Sequence, residues 1–147
     1  MNIIILDIDG VLATEECSHK PNHELWSYPF DKECVKIFNE LLIKTNAEIV
    51  LSSDWKIMYN NDLSVLDELF KFNGVIKSPF DVTPHIGRDR QKEIDNYLLD
   101  NKGKFNQFVI LDDVEIVSYP FNFIRCNIYE GLKQKGIKEK VLFIFNS

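Results

Sequence analysis

Apolar runs along this chain are short, and each of the strongest stops at a polar residue. Ile3-Ile4-Ile5-Leu6 stops at Asp7, Ile49-Val50-Leu51 at Ser52, and Phe108-Val109-Ile110-Leu111 at Asp112. Unbroken apolar runs of this length predict strands buried on both faces of a parallel sheet, each feeding a polar loop. Gly74-Val75-Ile76 and Phe123-Ile124-Arg125-Cys126 predict two weaker strands. Between the runs the spacing turns helical. Beyond Asp31, a predicted N-cap after Pro29, the apolar residues Cys34, Phe38, Leu41 and Leu42 recur at helical intervals. Leu63, Leu66, Leu69 and Phe70 form a second helical face that stops near Gly74, and Ile94, Tyr97 and Leu98 a third between about Arg90 and Gly103. This alternation implies crossover connections and an α/β fold, with a mostly parallel sheet covered by helices on both faces.

Two segments lack a single clear period. Residues 13–30 hold Pro21, Asn22, Pro29 and three aromatics, which reads as a loop or hairpin flap hanging from the first strand. From Ile137 to Phe145, the spacing of Ile137, Val141 and Phe145 fits a helix while the continuous apolar run fits a strand. No repeat, low-complexity tract or Pro/Gly/Ser-rich linker divides the chain, so residues 1–147 read as one domain with a flap or small cap at about 13–30.

Composition narrows the function classes. The 147 residues are 45% hydrophobic and 27% charged, as in an ordinary globular domain able to bury about two-thirds of its unfolded surface. With 17 basic against 23 acidic residues the net charge is −6, which argues against a surface built to grip the backbone of duplex nucleic acid. The one basic cluster, Lys133, Lys135, Lys138 and Lys140, encloses Glu139 and reads as a solvated face. Cys17, Cys34 and Cys126 form no CxxC pair and leave one over, favouring a reducing, cytoplasmic compartment over a disulfide framework. No apolar stretch approaches the roughly 20 residues that span a bilayer, so no membrane is expected. Cys17, His19, His23 and Cys34 are soft ligands without the paired spacing of a zinc module.

The candidate chemistry lies where the strands end. In an open parallel sheet, ligands bind beyond the carboxyl ends of the strands. Here those ends read Asp7-Ile8-Asp9-Gly10, Ser52-Ser53-Asp54-Trp55-Lys56 and Asp112-Asp113. Carboxylates gathered at one edge repel one another unless a cation sits between them, and hard oxygen ligands suit Mg²⁺.

The D-x-D-G-V-L that begins at Asp7, the strand-ending Ser52 and the late Asp112-Asp113, in this order, resemble the haloacid dehalogenase (HAD) phosphatase superfamily over nearly the whole chain. The stretch Leu51 to Lys56 and the later Tyr129-Glu130-Gly131-Leu132 further resemble the small-capped HAD domain of Swiss-army-knife RNA repair proteins. The resemblance implies a HAD-like Rossmannoid three-layer sandwich with a minimal cap, and a phosphatase acting through an aspartyl-phosphate. It implies that Asp7 is the nucleophile and Asp9 the general acid and then base. Mg²⁺ would be held by the side chains of Asp7 and Asp113 and by the Asp9 backbone carbonyl, with Asp112 supporting it through water. Ser52 would anchor the phosphate, with Ser53 adding a hydroxyl or an N–H.

The resemblance also implies a phosphate-binding cation at the start of the helix before the Asp112 strand. Arg90 is preferred there and Lys92 is the runner-up, although arginine departs from the commoner lysine. An acid at position 9 points to phosphomonoester hydrolysis rather than dehalogenation or ion pumping. The expected partner is a phosphorylated substrate, with a nucleotide or nucleic-acid end ahead of a small metabolite. Trp26, Tyr28 and Phe30 either stack on a base or pack the flap down. His85 either borders the site or lies on a surface loop. Two other readings compete. A phosphoryl-accepting receiver domain pairs its acids at the first strand, whereas the adjacent pair here comes late. A catalytically idle HAD-like binding module would have little need of Asp7, Asp9, Ser52 and Asp113 together.

Overall fold

The computed structural model describes residues 1–18, 29–58 and 60–146. Its centre is β1 (Ile3–Leu6), four residues without solvent exposure. On one side β1 pairs with β2 (Glu48–Leu51), and β2 with β3 (Pro79–Val82). On the other it pairs with β4 (Phe108–Asp112), and β4 with β5 (Phe123–Arg125). All four pairings are parallel and the order is β3-β2-β1-β4-β5. The chain therefore winds outward from β1 to β3, then returns to β1's other flank with β4. That reversal leaves a crevice beyond the carboxyl ends of β1 and β4.

Both faces of the sheet are covered, which is why its strands are unbroken apolar runs. Ile4, Leu6, Ile49, Leu51, Val109 and Leu111 pack with residues of α2 (Lys32–Thr45), α4 (Leu63–Phe72) and α6 (Ile137–Phe145). Ile3, Ile5, Val50 and Ile110 meet Ile94 and Tyr97 of α5 (Arg90–Asp100) on the opposite face. The three layers are those of a HAD-like Rossmannoid α/β fold.

Helix ends follow local chemistry. Asp31 caps α2, its carboxylate accepting from the N–H groups of Glu33 and Cys34, and Asp89 caps α5 by accepting from Lys92 N–H. The run Gly74-Val75-Ile76, expected to be a strand, is instead a helix stop. Gly74 takes φ +83°, its N–H donates to Lys71 O, and Val75 N–H donates to Phe70 O. These paired bonds close α4, and the buried Val75 is the apolar contact that accompanies them. The strand comes five residues later at Pro79, on a sheet edge where a missing N–H is tolerated. The C-terminal segment is a helix, with Ile137, Val141 and Phe145 forming its buried face.

Within the expected flap, a single helical turn, α1 (Glu15–Ser18), follows the tight loop after β1. Phe30 is buried against Trp55 and Phe70, at 6.0 and 5.5 Å between ring centroids. It therefore packs into the core beside the site. Trp26, Tyr28, His19 and His23 lie outside the described residues. Cys34 Sγ donates to Glu130 O at 3.3 Å. No helix among the described residues is long and apolar enough to cross a membrane.

Candidate active site

Asp7 continues β1 by one residue, since its N–H donates to Leu111 O at 3.0 Å. It is nearly buried, and one carboxylate oxygen accepts from Ile8 N–H. Asp112 ends β4 with no exposure; its Oδ1 accepts from Val114 N–H at 3.1 Å. Asp113 follows at the mouth. Asp7, Asp112 and Asp113 each offer a carboxylate oxygen within 4.8 Å of the others. Gly10 makes this approach possible, because a Cβ there would lie 2.6 Å from the Asp113 Cβ and its φ is +78°.

One guanidinium faces two of these acids. Arg90 opens α5 directly after its cap, and Nη1 lies 2.5 Å from Asp112 Oδ2 and 3.4 Å from Asp7 Oδ2. Its Nη2 is 3.9 Å from the exposed Asp54. Lys92, two residues on, is exposed and does not join the cluster; Arg88 is also exposed, in the turn before α5. The helix phase explains the difference, since two residues turn a side chain by about 200°.

Burial pushes the Asp7 carboxyl well above its ordinary value, with the Asp112 charge adding and Arg90 opposing. Burial likewise raises Asp112, to about 6, against Arg90 and the Val114 N–H. Burial disfavours the Arg90 cation, but the charges of Asp7 and Asp112 outweigh it and raise its pKa. Such a cluster holds a proton or a further cation more readily than separate carboxylates do.

Ser52 and Ser53 part company. Ser52 N–H donates to Leu6 O, which places the residue beside the start of the Asp7 loop. Its Oγ is buried with no hydrogen-bond partner. An unpaired buried hydroxyl is costly, so it marks a place for a ligand or water oxygen. Ser53 Oγ instead accepts from Trp55 N–H at 3.2 Å and starts the short helix α3 (Trp55–Met58).

Asp9 stands at the rim, outside the three-acid cluster. Trp55 Nε1 donates to its Oδ2 at 3.0 Å. Burial of the carboxyl raises its pKa, and the indole bond partly offsets this. Trp55 was quoted in the family stretch but given no role. Lys56 was missed in the same way: it is fully buried, with Nζ 3.1 Å from Thr83 Oγ1 and 3.2 Å from Glu93 Oε1. Burial lowers its pKa against the opposing charge of Glu93. Glu93 Oε2 accepts from Ile86 N–H at 2.8 Å and lies 3.4 Å from the half-exposed His85 Nδ1. Glu93 sits four residues after the Asp89 cap and beside Ile94, so sequence suggests a solvated first-turn acid. Its only other signal is that it shares the apolar face with Tyr97, four residues on.

A family model described as the HAD domain in Swiss Army Knife RNA repair proteins matches residues 3–137. The chain belongs to this family. No curated protein and no solved structure matches it. The family match spans every strand and all the site residues named above, so this HAD domain's acids, serine and arginine all stand within the matched region.

Proposed function

We propose that this HAD domain is a Mg²⁺-dependent phosphomonoesterase that works through an aspartyl-phosphate on Asp7 and acts on nucleotide or polynucleotide phosphate ends. One observation carries the reading: three carboxylates and one arginine converge at the crevice beside a buried serine hydroxyl that has no partner. The donor set fits Mg²⁺, being hard oxygens held close together and open at Asp113 to water. Asp7 and Asp113 would hold the ion, with Asp112 behind them; when bound it offsets the charge of an anion approaching an anion.

In the first step an Asp7 carboxylate oxygen attacks phosphorus, the O–P bond to the leaving alcohol breaks, and Asp9 gives that oxygen a proton. In the second, Asp9 takes a proton from water as the water oxygen attacks the same phosphorus, and inorganic phosphate leaves as Asp7 is regenerated. The raised proton affinity of Asp9 suits a group that must begin protonated. Arg90 and the Ser52 hydroxyl hold the phosphoryl oxygens, while Trp55 fixes the Asp9 carboxyl through its indole N–H.

The test is phosphate release from an aryl phosphate with Mg²⁺ and with chelator, for the wild type and Asp7→Asn. Metal-dependent release that disappears in the variant is expected, because an amide cannot form the phospho-enzyme. Equal activity in the variant would remove Asp7 from the nucleophile role.

A further inference from the structure

Beside the acids a groove of about 600 Å³ leads away along the end of β5, lined by Asp113, Arg125, Asn127, Ile128, Tyr129 and Gln134. Asp113 belongs to the groove and to the three-acid cluster, so the groove opens directly beside the cluster. The Arg125 Nε donates to Asp113 O at 2.9 Å, and the exposed guanidinium makes no ion pair among the described residues. Tyr129 is 61% exposed, and its neighbour Ile128 is 42% exposed.

That exposure is not a loose end of chain. Tyr129 N–H donates to Asn127 Oδ1 at 2.8 Å, Asn127 N–H to Gln134 Oε1 at 3.0 Å, and Gly131 N–H to Asn127 O at 2.6 Å. Two further bonds, from Leu132 N–H to Val11 O and from Glu15 N–H to Ile128 O, tie the loop to the turn that follows Asp9. Gly131 is required there: a Cβ would lie 2.4 Å from Val11 O, and its φ is +61°. The Tyr-Glu-Gly-Leu stretch thus holds the backbone that carries Tyr129 in place on the groove it shares with Asp113.

We propose that this groove is the subsite for the nucleotide bearing the scissile phosphate, with its base stacked on Tyr129 and the adjoining phosphodiester on Arg125. The inference rests on the proposed function and deepens it. The pairing of one exposed ring with one exposed guanidinium, in a groove that begins at a phosphate site, matches base, phosphodiester and terminal phosphate in turn. A single cation in the groove, on a chain of net charge −6, suits a strand end, whereas a long tract needs a basic path.

The test uses the full chain as Asp7→Asn with Mg²⁺ and short single-stranded oligonucleotides, dye-labelled and phosphorylated at the 3′ or the 5′ end. Anisotropy gives Kd across a salt series. Tyr129→Ala is expected to weaken binding of the preferred end about tenfold, with Tyr129→Phe restoring it. Arg125→Ala is expected to weaken it and to reduce the slope of log K against log salt by about 0.7, the loss of one phosphate contact to a single strand. Both side chains are exposed, so circular dichroism should be unchanged. Binding and salt slope unaltered in both variants, or no binding of either end, would overturn the subsite while aryl phosphate release still supported the phosphatase. Absence of that release in the wild type would strike the proposed function itself.

Discussion

Replacing Lys56 by Met removes one charge from the most buried ion pair in the described structure while keeping a side chain of similar length. Glu93, with 1% of its side chain exposed, then keeps the Ile86 N–H but loses its cation. Breaking a buried pair from one side costs about 3–5 kcal/mol, because the remaining charge stays desolvated. For a chain near 150 residues this lowers Tm by roughly 6–20 °C. The double variant Lys56→Met, Glu93→Leu removes both charges and should recover most of the loss, leaving about 1 kcal/mol for the unpaired Thr83 hydroxyl. Urea denaturation of the wild type, both singles and the double completes the cycle. A single variant within 1 kcal/mol of wild type, or a double no better than the single, would refute the reasoning.

Two other outcomes follow from the same geometry. Burial alone would raise the Asp31 carboxyl, but the bond from Lys133 and the Cys34 and Glu33 N–H groups hold it below its ordinary value, so its stabilisation is present above about pH 4 and is lost as pH falls through the folded-state value. Thermal melts of wild type and Asp31→Asn should therefore converge as pH drops from 5 to below 3, and parallel curves would contradict this. Arg90→Ala should raise KM for an aryl phosphate about tenfold or more, as loss of a charged hydrogen bond does, whereas the exposed Lys92→Ala should stay within about twofold. The reverse ranking in steady-state kinetics would move the phosphate anchor to Lys92.

What the sequence determined was whatever depends on neighbours in the chain. Runs such as Ile3 to Leu6 and Phe108 to Leu111 are strands because only a sheet covered on both faces buries every residue of such a run. Asp31 and the spacing of Cys34, Phe38 and Leu41 specify α2 down to its cap, since capping and periodicity are local. Asp7, Asp112 and Ser52 were legible as candidate site residues because each stands at the end of a strand, and parallel strands share one carboxyl edge. Gly74-Val75-Ile76 misled because a helix stop and a short strand both consist of a glycine and apolar residues; the Val75 to Phe70 hydrogen bond separates them.

Only the tertiary structure decided the rest, and each case turns on a partner distant in sequence. The helix phase of α5 brought Arg90 to the acids and left Lys92 in solvent. The pairing of Lys56 with Glu93, 37 residues away, turned two ordinary charges into a buried strut behind the site. The bond from Trp55 to Asp9 spans 46 residues. Packing of Gly131 on Val11 set Tyr129 beside the crevice, which no local pattern contains. Periodicity reports which face of an element is apolar; the partner that a polar group meets there is fixed only when the layers close.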